Sequence, residues 1–248
     1  MKRILTIAFI VTAITLQAQH KETRKIAAPR AISVATSIET RYVYSSRNEV
    51  VVEVENPDHL AKLLTVVENG TLKIQYKQNS NIRTRTNSKV TVYSTGQLAG
   101  INVSSSGMLH LEDAMKLSQV NITVSSSGKL FAQEIAAREA SVSVSSSGRV
   151  EGRITASQLN ITGSSSGKLK LGGSAETASI HLSSSCTADL DRMTIKSASV
   201  QANSSATLVA NVTDNLAGSV SSSGKIAHVG KPKHIQVSKS SGGQVIQR

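Results

Sequence analysis

From Ile101 onward the chain alternates apolar and polar residues in short bursts, and each burst breaks at nearly the same serine-rich corner. INVSSSGMLHL at 101–111 is followed by ITVSSSGKL, VSVSSSGRV, ITGSSSGKL, HLSSSCTADL, VQANSSATLV and GSVSSSGKIA. The residue after the serine run is successively Gly107, Gly128, Gly148, Gly167, Cys186, Ala206 and Gly224, at spacings of 21, 20, 19, 19, 20 and 18. A fainter copy, Ser240-Ser241-Gly242, follows 18 residues later. A fixed period of about 20 residues marks a solenoid.

Three apolar columns define the coil. One lies six positions before the reference residue (Ile101, Ile122, Val142, Ile161), one four before (Val103, Val124, Val144) and one two after (Leu109, Leu130, Val150, Leu169). The residues between them, such as Asn102, Thr123 and Ser143, are mostly polar. Period two is the mark of a strand with one buried face. With a weaker third segment, as in Met115–Leu117 or Met193–Ile195, each repeat supplies three short strands and three bends. That is one coil of a parallel β-helix. Coils stack at about 4.8 Å, so eight give a rod of roughly 35–40 Å. Each coil buries its inward face only against its neighbours.

The expected fold is therefore all-β: a single-stranded parallel β-helix of about 7–8 coils over residues 96–248, with a small β-rich cap over 31–95. In the cap, AISVATSIETRYVY and NEVVVEVE read as strands. Asn56-Pro57-Asp58 supplies an N-cap and a first-turn proline, predicting a short helix to about Leu64. TVVENGTLKIQYK reads as two strands about an Asn69-Gly70 turn. Such a cap would cover a sheet edge open to other chains. The opposite end, Val245–Arg248, has no evident cap, which leaves pairing with another protomer open as one option. Residues 1–18 combine Met1-Lys2-Arg3, an apolar run from Ile4 to Leu16 and a small residue at Ala18, the pattern of a cleaved export signal. The run falls short of the roughly 20 residues of a transmembrane helix. Residues 19–30 are expected as a flexible lead-in.

At the corner, alternation predicts that the middle serines Ser105, Ser126, Ser146, Ser165, Ser184, Ser204 and Ser222 point inward, with hydroxyls stacked coil on coil. The position after them (Gly107, Gly128, Gly148, Gly167 and Gly224) admits little bulk. Cys186 and Ala206 carry a Cβ there, so close packing rather than a left-handed backbone sets the requirement. These serines read as structural.

Sharper chemistry finds little support. Ser126–Lys129, Ser165–Lys168 and Ser222–Lys225 match the S-x-x-K nucleophile motif, yet a catalytic serine occurs once, not at three equivalent corners. Gly163–Lys168 is one residue short of a phosphate loop and opens no helix. Polysaccharide cleavage needs converging carboxylates. Glu112 and Asp191 share a column four coils apart, Glu151 and Asp189 share one two coils apart, and Asp189 with Asp191 forms only a local pair. His110, His181 and His228 occupy three different columns, so no metal or cofactor is expected. The one suggestive column is basic: Lys129, Arg149 and Lys168 follow the corner in consecutive coils, with Lys225 further on. It reads either as a solvated corner that keeps the rod soluble or as a stripe for acidic glycans.

Charge sharpens that column. The formal net charge is +12, falling to +10 once Lys2 and Arg3 are removed with the signal. Such an excess suits an anionic partner. With no Trp, four Tyr and two Phe, the chain lacks the stacking platforms of single-stranded nucleic-acid binding. The lone cysteine excludes an internal disulfide.

The succession EVVVEVENPDHLAKLLTVVENGTLKIQYK, then LAGINVSSSGML and its repeats, closely resembles the auto-transporter adhesin, head GIN domain family of Bacteroidota over about residues 30–225. The letters GIN stand at Gly100-Ile101-Asn102. The resemblance implies a right-handed, pectin-lyase-like β-helix without catalytic residues, exported to the periplasm, outer-membrane surface or exterior, in an adhesive role. The expected partner is a surface polymer or protein. The alternatives are a polysaccharide-active enzyme and a self-assembling envelope scaffold.

Overall fold

The computed structural model describes residues 20–83 and 87–248, all strand and loop apart from one 3-10 turn at Pro57–His59. The stretch read as an export signal, 1–18, lies outside the described residues. The N-terminal strands are β1 (His20–Lys25), β2 (Ala31–Val34), β3 (Glu39–Tyr44), β4 (Glu49–Val54), β5 (Leu63–Glu68), β6 (Thr71–Tyr76) and β7 (Lys89–Ser94). The repeats form β8 (Gly100–Val103), β9 (Met108–Leu111), β10 (Met115–Val124), β11 (Lys129–Val144), β12 (Arg149–Gly163), β13 (Lys168–Leu182), β14 (Thr187–Ala202), β15 (Thr207–Val220), β16 (Lys225–His228), β17 (His234–Lys239) and β18 (Gln244–Gln247).

The fold is a β-solenoid whose coils pair in parallel at one repeat of register. Ile122 lies beside Val142, Val142 beside Ile161, Ile161 beside Ile180 and Ile180 beside Val200. Seven turns run from the corner at Ser105 to the corner at Ser241. The apolar columns fill the interior: Val103, Val124, Leu109 and Leu130 are fully buried. Each such aliphatic contributes about 1.5–3 kcal/mol, which lets stacked Val, Ile and Leu hold the rod.

The corners depart from expectation in one respect. Ser105 and Ser106 both adopt left-handed backbone, φ 47° and 59°, and the same pair of angles recurs at every later serine corner through Ser222 and Ser223. The Gly107 N–H donates to Ser104 O at 2.8 Å, closing a turn with two left-handed central residues. The seven middle serines therefore face solvent rather than the interior. Alternation fails there because the chain reverses over those two residues, leaving both side chains on the outside. The ladder at the corner is main-chain: the Ser106 N–H donates to Ser126 O at 2.9 Å and the Ser127 N–H to Ser146 O at 3.0 Å. The glycine after them is held by close approach, as expected. A Cβ on Gly128 would stand 2.5 Å from Val103 O in the preceding coil.

The solenoid also begins earlier than residue 96. β2 pairs in parallel with β8, matching Ile32 to Ile101 and Val34 to Val103, and β3 pairs in parallel with β9. Between β2 and β3, Thr36 and Ser37 take φ 59° and 55°, the same corner with Ile38 where later coils have glycine. β6 and β7 add one more parallel layer on β2 and β3, joined by the longer 77–88 connection. β5 then closes antiparallel on β6, and β4 on β7. The lead-in expected to be flexible contains β1, paired antiparallel with β4 from His20–Val54 to Lys25–Glu49. Arg24 ties it down, donating to Leu63 O and Leu60 O at 2.7 Å each and to Thr65 Oγ1 at 3.0 Å. The helix expected from Asn56 to Leu64 shrinks to the single 3-10 turn. Asn56 Oδ1 does cap it, accepting from the Asp58 N–H at 3.0 Å, but β5 claims the chain from Leu63.

At the far end β17 lies on β15 and β18 on β16. Their outer edges are unpaired among the described residues, and Ile235 is 50% exposed.

Candidate binding faces

The tight corner divides the outer surface into a face before it and a face after it. On the face after it, the register sets Lys129 beside Arg149 and Arg149 beside Lys168. All three are exposed. The column then runs through Thr187 and Thr207 before Lys225, which is half-buried and three coils beyond Lys168. The structure thus brings three of the four proposed cations together and leaves the fourth apart.

The column that spacing gives to Glu151 and Asp189, two residues further along each strand, holds more than those acids: it runs Arg41, His110, Phe131, Glu151, Lys170 and Asp189. His110 and Phe131 stack with ring centroids 4.9 Å apart. The Arg149 guanidinium contacts the Glu151 carboxylate, so one acid offsets part of the basic run. Lys170 stands between Glu151 and Asp189, which alternates the signs. Arg149, Lys168, Glu151, Lys170, Leu169 and Thr187 line a shallow hollow of about 350 Å³. The signal was present in the sequence, since residues two apart on a strand share a face.

The remaining acids do not converge. Glu112 pairs with Arg41 at 3.6 Å, four coils from Asp191, while Asp189 Oδ1 accepts, among the described residues, only the Asp191 N–H at 3.3 Å. Among the described residues no three His, Cys, Asp or Glu side chains gather where a metal would sit. Cys186 is fully buried, and burial pushes its thiol up to about 11. Its sulfur occupies space made in the previous coil by Gly163, where a Cβ would stand 2.3 Å from Sγ. The side-chain volume has moved from one column to the next. The third face holds a groove of about 610 Å³ floored by small residues such as Ala136, Ala156 and Ala175. No helix among the described residues is long and apolar enough to cross a membrane.

Stacked parallel coils, an aliphatic interior and side chains arrayed on flat outer faces define a parallel β-solenoid. The chain belongs to the family described as "Putative auto-transporter adhesin, head GIN domain", which matches residues 28–232. Among solved structures it is similar to one from Parabacteroides merdae described as a putative adhesin, with TM-score 0.83 and 17% identity, covering 93% of this chain and 96% of that one. It is also similar to a Bacteroides fragilis putative adhesin (TM-score 0.66, 18% identity, 94% and 98% covered). A third, from Parabacteroides distasonis, is described as a putative lipid binding protein (TM-score 0.78, 21% identity, 93% and 96% covered). At these identities the likeness shows the fold. No match was found among curated proteins.

Proposed function

We propose that this chain is a non-enzymatic, exported binding module that attaches to an anionic surface polymer through the face after the corner. The observation that carries this reading is the column Lys129, Arg149 and Lys168, three exposed cations in register on consecutive coils. A ladder about 4.8 Å per rung holds them at fixed spacing, so a polyanion would meet them without ordering the backbone. Lys170 widens the patch, and the +10 charge that remains once Lys2 and Arg3 are removed adds long-range attraction. The family's adhesin description and the pattern of residues 1–18 support an exported setting. The lipid-binding description of the Parabacteroides distasonis neighbour is in keeping with anionic headgroups, and acidic glycans offer the same chemistry.

Hydrolysis of a polysaccharide is the weaker reading, because Glu112, Glu151, Asp189 and Asp191 do not face one another across a cleft. Pairing of two copies through β17 and β18 is disfavoured by charge. Residues 215–248 contain no Asp or Glu, and although Asp214 pairs with Lys233 at 2.9 Å, such contact would bring Lys231, Lys239 and Arg248 of two copies together.

The test compares residues 20–248 with a Lys129→Ala/Arg149→Ala/Lys168→Ala variant. One arm is affinity electrophoresis in polygalacturonate; the other is cosedimentation with phosphatidylglycerol vesicles. Binding in either arm should weaken about tenfold or more in the variant and fall as salt screens it. Equal retention of both proteins would sink the proposal.

A further inference from the structure

The face before the corner differs in kind from the face just described. Seven rungs, from Gln119–Thr123 in β10 to His234–Ser238 in β17, present three outward positions each. Among those twenty-one positions the sole Asp, Glu, Lys or Arg is Glu139, and it is ion-paired to Arg138 at 3.0 Å. Nearly all the others are Ser, Thr, Asn, Gln or His. In a chain this basic, so large an uncharged area is unusual, since soluble surfaces ordinarily intersperse charge throughout.

The hydrogen-bonding capacity of this face is mostly unspent. Asn215 Nδ2 donates to Ser197 Oγ at 3.2 Å, and Thr177 Oγ1 to Ser157 O at 3.3 Å. The exposed side chains of Asn121, Thr123, Asn160, Thr162, Ser199 and Gln201 make no hydrogen bond to any described residue. Most of these side chains are short, so fixing them against a ligand forfeits little rotamer freedom. Each rung repeats donors and acceptors at about 4.8 Å, close to the length of one sugar ring. The seven rungs span roughly 30 Å along the rod.

We infer that this face binds an extended, uncharged polysaccharide chain laid along the solenoid axis, one sugar per coil. The absence of cations removes the attraction a polyanion needs. Ala217 is the sole aliphatic among these positions and no Phe, Tyr or Trp stands there, which removes what a lipid or a protein interface core needs. What remains is a regular array of neutral donors and acceptors, complementary to a hydroxyl-rich polymer. This site is separate from the basic column and stands whether or not that column binds anions.

The experiment is affinity electrophoresis of residues 20–248 in gels containing hydroxyethyl cellulose, glucomannan or neutral mannan, alongside pull-down on cellulose and chitin. Retention by at least one neutral polymer is expected, unchanged by added salt. An Asn121→Ala/Asn160→Ala/Gln201→Ala variant, altered only at exposed positions, should lose about tenfold or more in affinity. The Lys129/Arg149/Lys168 triple variant should bind the neutral polymer as the parent does. Retention by none of the five polymers, or retention that the basic triple abolishes, overturns the inference. So does self-association in sedimentation velocity without glycan that the same polar variant disperses, because the face would then be an interface between copies.

Discussion

The exchange of volume between Gly163 and Cys186 offers a quantitative test of how neighbouring coils are coupled. In four preceding pairs of coils a valine lies next to the following coil's glycine: Val34 and Gly107, Val103 and Gly128, Val124 and Gly148, Val144 and Gly167. At the next step the order inverts to Gly163 and Cys186. Restoring valine at 163 alone would drive its Cβ to 2.3 Å from Cys186 Sγ and 2.9 Å from Leu182 Cδ2. Overpacking of that kind costs about 1–3 kcal/mol. Cys186→Gly alone removes a fully buried thiol and adds backbone freedom to the unfolded chain, together about 2 kcal/mol. The double variant Gly163→Val/Cys186→Gly rebuilds the arrangement of Val144 and Gly167. It should recover most of both losses, a favourable coupling of about 2 kcal/mol, within the range for residues in contact. The assay is denaturant unfolding of the four proteins of the cycle, followed by far-UV circular dichroism. A solenoid need not unfold in one step, so midpoints and slopes must both be compared. Losses that simply add, to within about 0.5 kcal/mol, would refute the claim that the two positions share one space.

Three further outcomes follow from the same structure. Ser147 has φ 61°, so Ser147→Val should cost about 1–2 kcal/mol by forcing a β-branched residue into left-handed backbone; Ser147→Gly should stay near the parent, and equal effects in denaturant melts would contradict the turn assignment. Arg24→Met removes the ties to Leu60, Leu63 and Thr65; amides of β1 should exchange about tenfold or more faster by hydrogen–deuterium mass spectrometry while those of β11 to β14 hold. The buried Cys186 thiol, raised to about 11, keeps its proton in the fold after the unfolded chain, near 8.5, has lost it. Stability present below that lower value should therefore drain away as pH climbs towards 11, at up to about 1.4 kcal/mol per pH unit. Burial also raises Tyr42 and Tyr76, which act in the same direction at still higher pH. Cys186→Ala, matching Ala206 in the next coil, should flatten the thiol's part; an unchanged pH profile would rule that part out.

How much of this was written in the sequence depends on which residues the repeat keeps visible. Ile122, Val142 and Ile161 announce their column because inward positions tolerate only aliphatics, and the parallel register follows from a near-constant period. The corner conformation was hidden because serine is an ordinary residue in many turns, and nothing in Ser-Ser-Ser-Gly distinguishes one left-handed residue from two. The first coil was hidden for another reason. Its corner reads Ala35-Thr36-Ser37-Ile38, and the coil it stacks on comes next in space but about seventy residues later in the chain. The basic column was legible by counting, whereas the Arg149–Glu151 contact needed the further step of reading residues two apart as one face. The Gly163–Cys186 exchange was visible as two exceptions in two columns. Only the stacking of one coil on the next shows that they are a single event.

The contrast between the two faces bears on what the charges are for. An outward residue of a coil touches little beyond its counterparts above and below, so its identity hardly affects the aliphatic interior and either face could carry charge at similar cost. Stacking Lys129, Arg149 and Lys168 in adjacent rungs costs about 1 kcal/mol per pair in water, and Glu151 relieves only the middle one. Were the cations present only to keep the rod soluble, scattering them over both faces would avoid that repulsion and would also break up the uncharged expanse around Asn121, Asn160 and Gln201. The chain does neither. It stacks Lys129, Arg149 and Lys168 in adjacent rungs and withholds charge from the face where hydroxyls and amides stand free. That arrangement is expected of a rod that meets two chemically different polymers on two sides, which is the physical requirement for holding one to the other.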